Sequence, residues 1–118
     1  MSRGRLIPLV PLAAVPDGAK QACSADGLEV LVCNVEGKIY AVENRCSHSS
    51  SRLDTGKLRG HSITCPLHSA RFDVRDGRPV SAPANKPIRT FEVILDGGKI
   101  HIVEPAPLPE RPKFGPLG

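Results

Sequence analysis

Two short stretches of the sequence each carry a thiol and an imidazole: Cys46-Ser47-His48 and Cys65-Pro66-Leu67-His68, with sixteen residues between them. Cys46, His48, Cys65 and His68 are therefore the candidate metal ligands. Two thiolates and two neutral imidazoles make a soft nitrogen–sulfur set, which suits zinc or an iron–sulfur cluster. Calcium and magnesium, which take oxygen ligands, fit it poorly.

The distribution of the four residues begins to separate zinc from iron–sulfur. In the usual Cys2His2 zinc fold one segment supplies both cysteines and a helix supplies both histidines. Here each segment supplies one of each. That split suits a two-iron cluster with chemically different ends, because two opposed loops can each reach both irons. A zinc-stabilised adaptor is the competing reading of the residues alone.

Taken with Ser49, Ser69, Asp73 and Gly77, the two motifs resemble the Rieske [2Fe–2S] family. The stretch from about Val10 to Val103 is similar to the small soluble Rieske-type ferredoxins of bacterial aromatic-ring-hydroxylating dioxygenase systems. The resemblance implies an all-β Rieske fold: antiparallel sheets form a sandwich- or barrel-like base. A small cluster-binding subdomain of two ligand loops and a proline loop, here Ala82-Pro83-Ala84, completes it. It implies one Rieske-type [2Fe–2S] cluster, with Cys46 and Cys65 on one iron and His48 and His68 on the other, and no catalytic residue. The implied function is a soluble electron carrier, not an enzyme, between an NAD(P)H-dependent flavoprotein reductase and the terminal oxygenase in aromatic hydrocarbon catabolism. A Rieske small subunit of another oxidoreductase, such as nitrite reductase, is the alternative. An oxygenase would need a second domain with a mononuclear iron on two His and one carboxylate, and 118 residues leave no room for it.

Two departures bear on the reduction potential. High-potential respiratory relatives carry a Ser and a Tyr two and four residues after the second ligand histidine, where this chain has Ala70 and Phe72. They also carry an added cysteine in each ligand loop, joined as a disulfide, where this chain has Ser51 and Leu67. Without these devices the expected potential lies toward the low end of the Rieske range, roughly −150 mV. The residue after each ligand histidine, most often Gly in the family, is Ser49 or Ser69 here.

The remainder of the chain must position those loops. Eleven Gly and twelve Pro in 118 residues demand frequent turns, and the scarcity of aromatics leaves the core to Val, Leu, Ile and Ala. The expected organisation is one domain over 1–104, with its cluster-binding part at about 44–86 and an extended or disordered Pro-rich tail over 105–118. Strands are expected at Lys20–Cys23, Leu28–Val35, Lys38–Val42, Ser62–Cys65, Arg71–Val74, Ile88–Leu95 and Lys99–Val103. Residues 49–60 read as an exposed loop. Pro79–Pro87, with three prolines in nine residues, reads as a stiff loop outside any ladder.

Leu6–Val15 is interrupted by Pro8 and Pro11 and reads as the entry to the first strand of a cytoplasmic monomer, with no membrane span. Cys23 and Cys33 read as buried apolar strand residues, and His61 and His101 as surface residues. Between Cys46 and Arg89, eight Lys and Arg stand against three Asp, a net charge of +5, whereas the rest of the chain carries −1. The excess suggests a basic docking rim for acidic redox partners. No aromatics interleave the basic residues, which argues against nucleic acid.

Overall fold

The apolar run Leu28–Val35 forms a strand whose last six residues are all buried, because it stands as a wall between two cores. Side chains alternate across a strand. Val30 and Val32 therefore face one cluster with Ile7, Phe91, Ile100 and Ile102. Leu31, Cys33 and Val35 face another with Cys46, Cys65, Ile63 and Phe72.

The computed structural model describes residues 5–46, 51–66, 70–81 and 86–105. His48, His68, Ser49, Ser69, Leu67, the Ala82-Pro83-Ala84 segment and the tail from residue 106 lie outside them. The strands are β1 Leu6–Pro11, β2 Lys20–Ala25, β3 Leu28–Val35, β4 Lys38–Glu43, β5 Leu58–Arg59 and β6 Ser62–Thr64, then β7 Arg71–Asp73, β8 Pro79–Ser81, β9 Thr90–Phe91, β10 Val93–Asp96 and β11 Lys99–Val103. A short 3-10 turn, Leu12–Ala14, follows β1. Among the described residues three sheets result, ordered β1-β11-β10, β2-β3-β4-β9 and β5-β6-β7-β8. All their pairings are antiparallel, as the expected all-β fold requires.

Tight two-residue turns set the registers of the second sheet. Asp26 and Glu36 adopt positive φ (53° and 56°), each followed by a glycine that does the same, as the primed hairpin turn demands. Cys23 consequently lies opposite Val30, and Cys33 opposite Lys20. All four cysteines are buried and none is in a disulfide. Burial in this apolar wall pushes the Cys33 thiol up to about 12. In the first sheet Leu6 pairs with Val103, and the Glu104 N–H donates to the Arg5 carbonyl at 2.7 Å.

Three expectations fail for identifiable reasons. Pro79–Ser81 does join a ladder, with Phe72 opposite Pro79. It can do so because β8 is an edge strand that begins with the proline, where no backbone donor is missed. The run Ile88–Leu95 is not one strand: β9 pairs with β4 and β10 with β11, and Glu92 marks the crossing from one sheet to the other. Residues 51–60 are not a wholly exposed loop, since Leu53 is fully buried and Leu58–Arg59 form β5.

Candidate metal centre

Cys46 lies three residues past the end of β4, and Cys65 directly follows β6. The hairpin β3–β4 delivers one and the third sheet the other. Both side chains are 1% exposed and belong to the same apolar cluster, among Leu31, Leu53, Ile63, Ala70 and Phe72. Two thiols buried in one apolar cluster fit ligation of a soft metal group far better than exposed chemistry.

The loops that follow these cysteines are closed in the same way. The Cys46 N–H donates to the Ser51 carbonyl at 2.7 Å, and the Cys65 N–H to the Ala70 carbonyl at 2.6 Å. Each closure joins residues five apart and leaves Ser47–Ser50 or Pro66–Ser69 between, the segments that hold His48 and His68. A third segment is tied at its base as well: the Ile88 N–H donates to Gly77 O at 2.8 Å, bracketing the proline-rich stretch. The backbone thus fixes the feet of all three loops.

Side chains outside the motifs hold these feet in place. Asn44, 3% exposed, accepts the N–H groups of Leu53 and Asp54 through Oδ1 at 2.8 and 2.9 Å. Its Nδ2 donates to the Asp54 carboxylate at 3.4 Å. Gly56 lies so close to the β6 backbone that a Cβ there would stand 1.7 Å from the Thr64 carbonyl oxygen, one residue before Cys65. On the other flank, buried Asp73 accepts Arg75 Nε and NH2 at 3.0 and 2.7 Å and the Arg75 N–H at 2.9 Å. Hydrogen bonding by the Arg75 guanidinium, against the opposing push of burial, holds the Asp73 carboxyl at about 2.

The two histidines outside the motifs, expected at the surface, are both half-buried. His61 meets the Tyr40 ring edge-on at 5.8 Å. His101 Nδ1 is 3.2 Å from the Lys99 carbonyl. Ala70 and Phe72, the positions of the missing hydroxyls, are fully buried in the cluster that contains both cysteines.

Sequence reasoning missed Asn44, Leu53 and Gly56. Asn44 had a legible signal: a short amide at a strand end, two residues before a candidate ligand cysteine, is placed to accept backbone N–H groups. Gly56 had none, because its need is a backbone contact with a residue eight positions on.

A family model described as Rieske [2Fe-2S] domain matches residues 6–92. The chain belongs to that family. This Rieske chain is 40% identical over 96 residues, 81% of its length and 92% of the relative's, to the ferredoxin component of a naphthalene 1,2-dioxygenase system from Pseudomonas aeruginosa. The ferredoxin of carbazole 1,9a-dioxygenase from Nocardioides aromaticivorans IC177 superposes with a TM-score of 0.81 at 35% identity, covering 85% of this chain and 98% of that one. A chain in the complex of reduced oxygenase and oxidized ferredoxin in carbazole 1,9a-dioxygenase matches with a TM-score of 0.81 at 28% identity, covering 88% of this chain and 97% of that one. The cofactor of this Rieske chain is one Rieske-type [2Fe–2S] cluster, and the buried thiol pair is a donor set that fits it.

Proposed function

We propose that the chain carries single electrons from an NAD(P)H-dependent flavoprotein reductase to the terminal oxygenase of an aromatic-ring-hydroxylating dioxygenase system. Cys46 and Cys65 are assigned to one iron of the cluster, and His48 and His68 to the other. The observation that carries this reading is the convergence of Cys46 and Cys65, buried in one cluster and outside any disulfide, at the feet of two identically closed loops. When bound, the cluster takes up and gives back one electron. The chain's own part is to keep water from the thiolates with Leu53, Ile63 and Phe72, and to hold the potential low by offering no hydroxyl at 70 or 72.

Exposed Arg52, Lys57, Arg71 and Lys86 surround the ligand segments in sequence and supply the basic rim for both partners. The relatives named as ferredoxin components of dioxygenase systems, and the similar chain in the oxygenase–ferredoxin complex, support this assignment of partners. The protein works as a monomer in the cytoplasm, as a single domain over 1–104 with the tail from 105 outside it. Among the described residues no helix is long and apolar enough to cross a membrane.

Electron paramagnetic resonance of the reduced protein tests the ligand assignment. The expected spectrum has the low average g-value of a nitrogen-ligated [2Fe–2S] cluster. His48→Ala and His68→Ala abolish it, while His61→Ala leaves it unchanged. An all-cysteine spectrum, or zinc in place of iron and acid-labile sulfide, overturns the proposal.

A further inference from the structure

Two buried asparagines anchor opposite ends of the β3–β4 hairpin, and one of them stands at the ligand loops. At the Glu36-Gly37 end, Asn34 donates to the Val15 carbonyl at 2.8 Å and accepts the Gly37 N–H at 2.9 Å. At the other end, Asn44 holds the backbone of Leu53 and Asp54. The second anchor has a longer reach. Leu53 O accepts the Gly56 N–H at 2.9 Å, Gly56 abuts the Thr64 carbonyl, and the Thr64 N–H returns to Lys57 O at 2.9 Å. Segment 53–57 is therefore a strap running from Asn44, two residues before Cys46, to Thr64, one residue before Cys65. Lys20 Nζ, donating to the Asp54 carbonyl at 2.6 Å, fastens the strap to β2 as well.

We propose that Asn44 is a positioning residue for the cluster: by holding the 53–57 strap, its amide sets the separation of Cys46 and Cys65 and so governs how tightly the cluster is held. The inference rests on the ligand assignment proposed above. Asparagine suits the task because one carbonyl oxygen accepts two N–H groups while its NH2 donates to a carboxylate. Alanine would leave the buried Leu53 N–H without that partner. Aspartate would keep both acceptances but set a second carboxylate against Asp54. Residues that orient metal ligands characteristically change metal retention when altered, on the order of 10- to 100-fold.

The experiment follows bleaching of the visible absorption of holoprotein in excess EDTA, alongside the spectrum of the reduced cluster and the thermal midpoint. Asn44→Ala is expected to lose its cluster on the order of 10- to 100-fold faster than wild type, with shifted or broadened g-values, and Asn44→Asp to recover part of the difference. Asn34→Ala is expected to lower the thermal midpoint while bleaching at the wild-type rate. Should Asn44→Ala not fold, Asn44→Gln, which displaces the amide by one methylene, is read in its place. Wild-type bleaching and g-values in the folded Asn44 variant, or equally fast loss from Asn34→Ala, overturn this inference alone. A wild-type spectrum without the nitrogen-ligated signature overturns the ligand assignment and this inference together.

Discussion

Gly56 rests its Cα against the carbonyl of Thr64 so closely that a methyl group would stand 1.7 Å from the oxygen. Both sides of that contact are backbone, so neither can move without carrying β6 and Cys65 along. Gly56→Ala is expected to destabilise the fold by about 3 kcal/mol, the upper part of the range for overpacking. A denaturant titration checks this, and an unchanged midpoint would mean the strap can shift freely. The same variant should be purified with less iron per chain.

Ala70→Ser and Phe72→Tyr place hydroxyls inside the cluster that holds both candidate ligand cysteines. Donation to the sulfur side of the cluster stabilises the reduced, more negative state, so the potential should rise. For a one-electron couple about 59 mV corresponds to about 1.4 kcal/mol, within reach of one charge-assisted hydrogen bond. Protein-film voltammetry on the double variant gives the answer. If the potential stays put, neither hydroxyl reaches the cluster.

Asp73 makes stability depend on acid. Its carboxyl is held at about 2 in the folded chain by Arg75, against about 3.9 in an unfolded one. A depressed folded value means the contribution is fully present above about pH 4 and disappears as pH falls toward 2. Its size is roughly 1–2 kcal/mol once solvent screening around half-exposed Arg75 is allowed for. Thermal midpoints of wild type and Asp73→Asn, measured across that window, should differ at pH 6 and converge near pH 2. A gap that persists at pH 2 would trace the effect to packing instead.

Docking should depend on salt. Arg52 is already engaged with Asp54 at 3.1 Å and Glu29 at 3.9 Å, so reversing it also releases two carboxylates and confounds the result. Lys57→Glu is the cleaner probe, read beside Lys86→Glu. Stopped-flow electron transfer from the reductase should slow in both, and wild-type rates should fall as ionic strength rises, with little change in potential. Rates indifferent to salt and to both substitutions would reduce the patch to a solvated surface.

The strands most readable in the sequence were those whose burial repeats locally. Leu28–Val35 was legible to the residue because apolar side chains on both faces leave a nearly continuous run, and Glu36-Gly37 supplied the turn. Cys46 and Cys65 stood out by type and spacing as candidate ligands, and the structure buries both in one cluster. Less readable was anything decided by a distant neighbour. Pro79–Ser81 looks irregular until β7 lies beside it, and only the second partner sheet explains why the Ile88–Leu95 run breaks at Glu92. Leu53 sits in a polar stretch whose composition says loop, yet Asn44 and Gly56 draw it into the core.

The pairing of Leu6 with Val103 brings positions nearly a hundred residues apart into register, and Arg5 and Glu104 meet just beyond it. A short peptide could join those two points without crossing the molecule. The order in which the strands are translated is then separable from the architecture: a circular permutant opened at the exposed Asp26-Gly27 turn would present the same sheets.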